Sequence, residues 1–340
     1  DLFAIGTIGD MVPMINENRV LCMAGLKRIK QGTRIGLNSL VQISRIDLKK
    51  IDSDDVSFKI VPKINAAGRI SHARICVSQL MATDISNAER TASLLNNLNT
   101  KRQKIEQKII LDIENRLLKN PRLLDNKLLF LWDDNWDPSV LGIAASKLSK
   151  KYYCPVILMS CIYEHAIGSG RSINDINIYK ALLDSENLLE KFGGHAMASG
   201  LTVKKDNLQL LNQNLNRHME KTYSKKDFQK SMIVDAVLDL DDVNFNLAKE
   251  IDRLRPFGVA NREPIFICEN VRVVSSYIMG NYHRKMVLEK AVPLCRHQVE
   301  AFHFNISDPD DLAEYYPKIA FKLKINKFKA TAAQIIIEDF

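Results

Sequence analysis

The sequence predicts an α/β protein of several domains: an N-terminal α/β region, a long connecting helix, a second α/β domain and a C-terminal β-barrel. Three changes of pattern support this. An apolar helical repeat runs from residue 88 to 117, strand and helix patterns alternate over 127–222, and nearly every segment after 228 is β-like. The predicted boundaries are therefore 1–83, 84–121, 122–225 and 226–340.

Size and composition indicate a globular protein with real hydrophobic cores. The chain has 340 residues, of which 46% are hydrophobic and 26% charged. Its 48 basic and 40 acidic residues give a net charge of +8, which suits a polyanionic partner such as nucleic acid. Many basic proteins have no such partner, so the charge alone does not decide. No apolar run is long enough to span a bilayer, so no membrane role is expected.

The cysteine pattern predicts reduced thiols in the cytoplasm. The six cysteines form no C-x-x-C pair and no zinc-like spacing. The chain begins at Asp1 without a methionine, and Leu2–Ile8 reads as a buried strand. We therefore expect the natural protein to extend upstream.

A helix is predicted next, ending before Gly32, and the long helix follows. Ser86 and Glu89 have the spacing of a capping box, and the apolar repeat predicts about 33 residues, a rod about 50 Å long. Such a rod usually bridges two domains. Its four mid-length basic side chains are predicted to form a solvated charged face rather than a DNA contact: Lys101, Arg102, Lys104 and Lys108.

The second α/β domain is predicted from alternating strands and helices. KLLFLW, CPVILMS and HAIGSGRS read as strands, the last ending in a glycine-rich turn. Asp137-Pro138 opens a helix with an N-cap and a proline at its first position. Residues 178–192 read as a helix leading into GGHAMASG, 193–200, where a small-residue helix follows a diglycine.

After residue 228 the pattern predicts a small barrel. FNLAKEIDRL is the one clear helix. The β-like segments are MIVDAVLDL, PIFICENVRVVSSYIM, HRKMVLE, VEAFHFNI, KIAFKLKIN and AAQIIIEDF.

Four motifs share the chemistry of phosphate handling. In GTIGD, a carboxylate directly after a buried strand suits a divalent metal, which makes Asp10 a candidate ligand; the alternative is a capping or loop aspartate. In INAAGR, Gly68 permits close approach and Arg69 can grip a phosphate in bidentate fashion; the alternative is a structural turn with an arginine ion pair.

The other two motifs lie in the second α/β domain. GSGRS predicts a compact anion site made by backbone N–H groups with Ser169, Arg171 and Ser172. It lacks the GK[ST] ending of a P-loop. In GGHAMASG, Gly193 and Gly194 would bare the backbone, a helix N-terminus would attract the anion, and His195 would donate to a phosphate oxygen or protonate a leaving group. The alternative is a structural histidine.

Taken together, the motifs resemble the RecJ-type single-strand-specific DNA exonucleases of the DHH phosphoesterase superfamily. DLFAIGTIGDMVPMINENR resembles the motif whose closing aspartate is a metal ligand, and KINAAGRISHA the motif whose arginine contacts phosphate. NWDPSVLGIAASKL, GSGRS and FGGHAMASGLTV resemble the DHHA1 domain, while LRPFGVANREPIF and HRKMVLE resemble the following oligonucleotide-binding (OB) barrel. The matches occur in the family's order along nearly the whole chain.

The resemblance implies hydrolysis of single-stranded DNA from its 5′ end with Mn²⁺ or Mg²⁺ at a two-metal site. It also implies a role in recombination and repair, and single-strand-binding protein as a partner. It makes residues 1–83 the C-terminal part of a DHH domain. The family's DxDxDG-like and DHH motifs are absent, so of its metal ligands only Asp10 is present. We therefore expect an incomplete metal site and no appreciable exonuclease activity from this chain alone.

Smaller departures indicate a drifted member. Asp137 and Ser139 replace a histidine and a glycine of the family pattern, Lys63 replaces an arginine, and Ala260 occupies a glycine position. Two alternatives remain open: a non-catalytic single-strand-binding module, and a DHH/DHHA1 phosphodiesterase of short oligonucleotides, against which the predicted barrel counts. The leading interpretation requires that Asp10, Arg69, Arg171 and His195 converge on one cleft.

Overall fold

The structure, a computed structural model, describes residues 1–280, 283–291, 297–304, 306, 313–326 and 332–340. Cys295 and Asn305, both within predicted features, lie outside these residues. The eleven named strands are β1 (Leu129–Asp133), β2 (Val156–Ile162), β3 (His165–Arg171), β4 (Leu189–His195), β5 (Ala198–Lys204), β6 (Ala236–Val237), β7 (Phe266–Met279), β8 (His283–Lys290), β9 (Val299–Phe304), β10 (Tyr315–Ile325) and β11 (Ala333–Asp339).

The helices include one long rod, as the sequence predicts. A π-helical stretch, Val56–Ile60, joins two of them. They are α1 (Leu2–Gly9), α2 (Asn16–Lys30), α3 (Ile35–Ile43), α4 (Ser53–Asp55), α5 (Val61–Ile70), α6 (Arg74–Leu80), α7 (Ile85–Lys119), α8 (Leu141–Tyr152), α9 (Ile178–Leu183), α10 (Leu208–Thr222) and α11 (Phe245–Asp252). Among the described residues, no helix combines the length and the apolar character needed to cross a membrane.

The chain forms two compact units. The first contains residues 1–33, 46–59 and 232–340, and the second contains 34–45 and 60–231. The predicted N-terminal region, 1–83, is therefore shared between the units. Helix α7 of the second unit begins at Ile85, and the last segment of the first unit begins at Met232.

The first unit is built on the predicted barrel. Its sheet has the order β10-β11-β9-β8-β7-β6, and β10 also pairs with β7, which closes the barrel. Alternate residues of these strands, such as Met286 and Leu288 on β8, fill one core together with α11. This is the five-stranded OB topology. Only Ala236–Val237 of the predicted strand MIVDAVLDL pairs with the sheet.

The second unit is a five-stranded sheet of order β1-β2-β3-β5-β4 between two helical layers. On one face, α7 and α8 pack on alternate residues such as Val156 and Leu158. On the other, α9 and α10 pack on the intervening residues, such as Ile157 and Met159. Strand β4 is the edge, next to β5.

The long helix is confirmed, with a different start. Helix α7 has 35 residues, and its N-cap is Asp84, whose side chain accepts from the backbone N–H of Asn87 at 2.7 Å. The predicted capping box at Ser86 is therefore wrong, because that residue already lies inside the helix. The predicted apolar positions Ala88, Leu95 and Ile113 are fully buried.

The predicted strand at Leu2–Ile8 is wrong, because these residues form α1. The Asp1 carboxylate accepts from the Leu2 N–H at 2.6 Å and caps the helix. Its buried positions, Ala4, Ile5, Thr7 and Ile8, follow the helical period rather than the period of a strand. The composition of a short apolar run does not distinguish a helix from a strand. The motif INAAGR also lies in a helix, α5, rather than in a turn.

Three predictions in the second α/β domain are also corrected. The helix predicted over 178–192 ends at Leu183, and Leu189–His195 is strand β4. The predicted small-residue helix after the diglycine is strand β5, so no helix N-terminus lies there. The glycines of HAIGSGRS lie within β3, not in a turn. Glycine is needed at positions 168 and 170 because a Cβ there would overlap the side chains packed on that face of the sheet.

Candidate functional site

Three adjacent strands of the second unit bring Arg171 and His195 onto one face of the sheet. Arg171 on β3 is paired with Ala198 on β5, and Ala198 is paired with His195 on β4. Directly opposed residues of antiparallel strands point to the same face. Two strand spacings of about 4.8 Å separate the two backbones. The central residue is an alanine, so little side chain stands between the guanidinium and the imidazole.

In the next row of paired residues on this face, Ser169 is followed by two glycines, which have no side chain. Ser169 is paired with Gly200, and Gly200 with Gly193. Both glycines are exposed, and a Cβ built at Gly193 would meet no atom within 4 Å. The two rows form an open shelf, defined here by Ser169, Arg171, Gly193, His195, Ala198 and Gly200. At Gly193 and Gly200, an extended polyanion can therefore reach the backbone of the sheet.

Arg171 is held in place without a carboxylate. Its Nη1 donates to the Ser169 hydroxyl at 2.8 Å and to the Gly170 carbonyl oxygen at 2.7 Å. In the part of the chain that the structure describes, it forms no ion pair. Burial and the nearby Arg69 charge lower the pKa of its guanidinium. An arginine that is partly desolvated and lacks a counter-ion favours an external anion.

Helix α8 approaches Arg171 through a glycine. A Cβ at Gly142 would lie 2.7 Å from Arg171 Nη2 and 2.9 Å from the Ser169 Oγ. A larger residue at this position would therefore require Arg171 and Ser169 to move away from the first turn of α8. The positive end of the helix dipole adds to the attraction for an anion.

Arg69 joins the same electropositive region from helix α5. It is exposed, and its Nη1 donates to the Ser139 carbonyl oxygen at 3.4 Å. The turn that carries this oxygen is fixed by Asp137, whose Oδ1 accepts from the Ser139 N–H at 2.9 Å and from its hydroxyl at 2.6 Å. Partial burial and the charge of Arg102 lower the pKa of Arg69. Asp137 is thus the helix cap that the sequence predicts.

His195 lies at the end of β4 with its ring exposed. Its Nδ1 accepts from the Met197 N–H at 3.3 Å, so in the neutral ring the proton is on Nε2. Gly194 has a φ of +138°, and a Cβ there would overlap the Ala198 carbonyl oxygen. Gly194 therefore shapes the turn that presents His195, whereas Gly193 leaves the shelf open.

Ser172 does not belong to the shelf. Its side chain is buried, and its hydroxyl donates to the Ile176 carbonyl oxygen at 2.7 Å. Its N–H donates to the Met197 carbonyl oxygen at 2.9 Å. These two hydrogen bonds fix the segment that follows β3, and the hydroxyl proton of Ser172 is already donated within the protein.

Asp10 lies in the first unit, at the C-cap of α1, and not after a strand as predicted. Its side chain is exposed and makes no hydrogen bond or ion pair with the described residues. A carboxylate at a helix C-terminus opposes the helix dipole. Helix stability therefore does not account for an acidic residue at this position.

The described residues do not fit a two-metal centre by themselves. Within the ranges given above, no three His, Cys, Asp or Glu side chains are close enough to hold a metal ion. Among the described residues, Asp10 therefore stands as a single carboxylate. We derive no catalytic step through a metal from this chain.

Ala198 and Gly200 of the shelf, and Gly142 of α8, which lies against Arg171, were not predicted as site residues. Gly142 and Gly200 lie in motifs that the sequence analysis quoted. Their positions beside Ser169 and Arg171 depend on strand register and on the packing of α8, which a sequence pattern does not show. The predicted residues of the second unit, Arg69, Ser169, Arg171 and His195, do lie in one electropositive region.

The fold defines a class: a protein with a DHHA1 domain followed by an OB barrel. Family models support both assignments, since the DHHA1 domain matches residues 125–221 and the RecJ OB domain matches residues 234–339. The chain belongs to the RecJ family.

Named relatives support this assignment over the whole chain. The single-stranded-DNA-specific exonuclease RecJ of Bacillus subtilis is 36% identical over 273 residues, 79% of this chain and 34% of that protein. The Haemophilus influenzae RecJ is 30% identical over 351 residues, all of this chain and 61% of that protein. The chain therefore spans about a third to three fifths of these relatives.

A solved structure gives the same result for the fold. The crystal structure of RecJ in complex with Mn²⁺ from Thermus thermophilus superposes with a TM-score of 0.80 at 25% identity. The match covers 99% of this chain and 48% of that chain.

Proposed function

We propose that this chain is the DHHA1 and OB portion of an exonuclease specific for single-stranded DNA, and that the shelf binds the phosphodiester backbone. The observation that carries the proposal is the register of Arg171, Ala198 and His195 across three strands. It sets an arginine without a carboxylate partner and an exposed imidazole on one face, beside a floor of glycine. The names of the relatives supply the substrate.

The shelf residues have distinct tasks in this proposal. Arg171 and Arg69 bind phosphate oxygens through charge-assisted hydrogen bonds, and the Ser169 hydroxyl and the first turn of α8 add donors. The Nε2–H of neutral His195 donates a hydrogen bond to the phosphate. To protonate the leaving oxygen, the ring first takes up a proton on Nδ1, which releases the Met197 N–H, and the imidazolium then gives its Nε2 proton to the oxygen and returns to the neutral form. Gly193 and Gly200 let the strand lie against the sheet backbone.

Hydrolysis belongs to the whole protein in this proposal. Asp10 contributes one carboxylate to a Mn²⁺ or Mg²⁺ centre whose other ligands lie outside this chain, and bound metal would activate water and stabilise the leaving oxygen. Solved RecJ structures contain Mn²⁺ or Mg²⁺. We propose 5′-to-3′ degradation during recombination and repair in the cytoplasm, with single-strand-binding protein as a partner. This chain alone is expected to bind but not to cleave.

A non-catalytic single-strand-binding module is the second candidate. Asp137, which replaces a family histidine, favours it, because a carboxylate two residues from the Arg69 acceptor repels phosphate. A phosphodiesterase of short oligonucleotides is disfavoured, since such enzymes do not have the OB barrel.

The test compares the full-length protein with this chain on 5′-labelled single-stranded and duplex oligonucleotides with Mn²⁺. We expect the full-length protein to release 5′-mononucleotides from single strands only, and Arg171→Ala to slow this release. The isolated chain should bind single strands without cleaving them. Failure of the full-length protein to cleave, with binding intact, would establish the non-catalytic module instead. Cleavage by the isolated chain would contradict the incomplete metal site.

A further inference from the structure

Helix α7 carries two buried charges at its middle. Glu106 is only 1% exposed, and the side chain of Arg102 is 11% exposed. Their neighbours Lys101, Lys104 and Lys108 are exposed, as the sequence predicts. Arg102 thus departs from the predicted solvated face, and its burial requires a reason, because desolvating charges is costly.

Glu106 and Asn99 contact one edge of the Arg102 guanidinium. Arg102 Nη1 is 2.9 Å from Glu106 Oε2, and its Nε donates to the Asn99 Oδ1 at 3.2 Å. The other carboxylate oxygen, Oε1, is 2.5 Å from the Nζ of Lys147 on α8. Arg102 Nη2 makes no hydrogen bond with the described residues. The ion pair therefore fixes Arg102 without using all of its donors.

The position of this pair connects it with the shelf. Helices α5 and α8 both pack on α7, and they carry Arg69 and Gly142 respectively. Arg102 is close enough for its charge to lower the pKa of Arg69, after partial burial, while Glu106 acts in the opposite direction. Arg69 in turn lowers the pKa of Arg171, again after burial. The charges of Arg102 and the buried Glu106 therefore act on Arg69, and the charge of Arg69 acts on Arg171.

We infer that Arg102 is a positioning residue of the phosphate site: Glu106 and Asn99 hold its guanidinium under α5, where its charge increases the attraction of Arg69 and Arg171 for a phosphodiester. This inference rests on the proposed function and deepens it. The mutual repulsion of the three cations is relieved when an anion binds, so Arg102 favours the bound state. Glu106 limits that repulsion in the free protein.

The inference predicts opposite effects of two charge-removing substitutions. Arg102→Gln should weaken binding of a fluorescent single-stranded oligonucleotide about fivefold at low salt, because one positive charge is lost. Glu106→Gln should tighten binding about threefold per folded molecule, because one negative charge is lost. A purely structural pair would instead weaken binding in both variants. Both effects should shrink as salt is added.

Fluorescence anisotropy at several salt concentrations measures this, with thermal melting to correct for the folded fraction. The matched control is Glu114→Gln, since Glu114 on α7 also pairs with a lysine of α8, Lys151. It should leave affinity unchanged. Arg102→Lys keeps the charge and should retain most of the affinity, which gives a second test if Glu106→Gln does not fold.

The outcomes separate this inference from the proposed function. If Arg171→Ala abolishes binding but the Arg102 and Glu106 variants match the Glu114 control, the inference is wrong and the proposed function stands. The same holds if Arg102→Lys binds as weakly as Arg102→Gln. A wild-type chain that does not bind the oligonucleotide would overturn the proposed function and the inference together.

Discussion

Arg171 and His195 face the same side of the five-stranded sheet, in register, with Ala198 between them. The two residues are 24 positions apart in the chain, and only the pairing of β3, β5 and β4 unites them. In the proposed function the intervening small residues matter because their lack of side chains leaves the floor of the shelf open.

Two adjacent glycines should respond differently to alanine. Gly193→Ala is expected to leave thermal stability nearly unchanged, because its Cβ would meet no atom within 4 Å. It should nevertheless weaken oligonucleotide binding, because the methyl group occupies the shelf. Gly194→Ala should destabilise by at least about 1–2 kcal/mol, since its φ of +138° suits only glycine. Melting curves and anisotropy together check this; equal effects at both positions would contradict the open floor.

His195 should act on turnover rather than on affinity. In the full-length protein, His195→Ala is expected to lower kcat by about 100-fold or more with little change in KM, as loss of a general acid does. Steady-state kinetics on a labelled single strand measure both constants. The control is His165→Ala, an exposed histidine of β3 whose ring contacts Glu190 at 2.8 Å. A change in KM alone would make His195 a binding residue.

The turn at Ala260 should gain stability from the glycine of the family pattern. Asn261 N–H donates to the Gly258 carbonyl oxygen at 3.2 Å, and Ala260 between them has a φ of +63°. Ala260→Gly is therefore expected to stabilise the first unit by about 1 kcal/mol, measured by urea unfolding. Gly280→Ala, at a φ of +57° in open space, should lose a similar amount. No gain at Ala260 would show that the turn is not strained.

The Cys154 thiol should make stability fall at high pH. Burial raises its pKa from 9.0 to about 11. The folded state therefore keeps the proton that the unfolded state releases, so the contribution is complete below pH 9 and is lost as the pH rises from about 9 to 11. Cys154→Ser should flatten this part of the stability curve. Alkylation of Cys154 in the native protein at pH 9, as fast as in urea, would contradict its burial.

The barrel and the long helix could be predicted from sequence because their patterns extend over many residues. The alternation in segments such as HRKMVLE and the three-to-four spacing of α7 each repeat often enough to be distinctive. The shorter elements could not. Leu2–Ile8 is apolar in either secondary structure, and Leu189 and Glu190 are good helix formers that pairing with β5 draws into a strand.

The sequence suggested residue types for the candidate site but not its geometry. Arg69, Arg171 and His195 were identified because arginine, histidine and glycine together are typical of phosphate sites. The helix N-terminus expected behind His195 is strand β5, so the proposed anion binding there rests on strand register rather than on a helix dipole. Ser172 was included because its hydroxyl lies next to Arg171 in sequence, but it follows the end of β3 and its hydroxyl donates to the Ile176 carbonyl oxygen.

The salt dependence of single-strand binding tests the central claim, that the shelf binds the phosphate backbone, most directly. For this chain and its Arg171→Ala variant, log affinity is plotted against log salt concentration. Each lost phosphate contact should reduce the magnitude of the slope by about 0.7, and affinity at low salt should fall by about 1–3 kcal/mol. Equal slopes and affinities for both proteins would contradict the account.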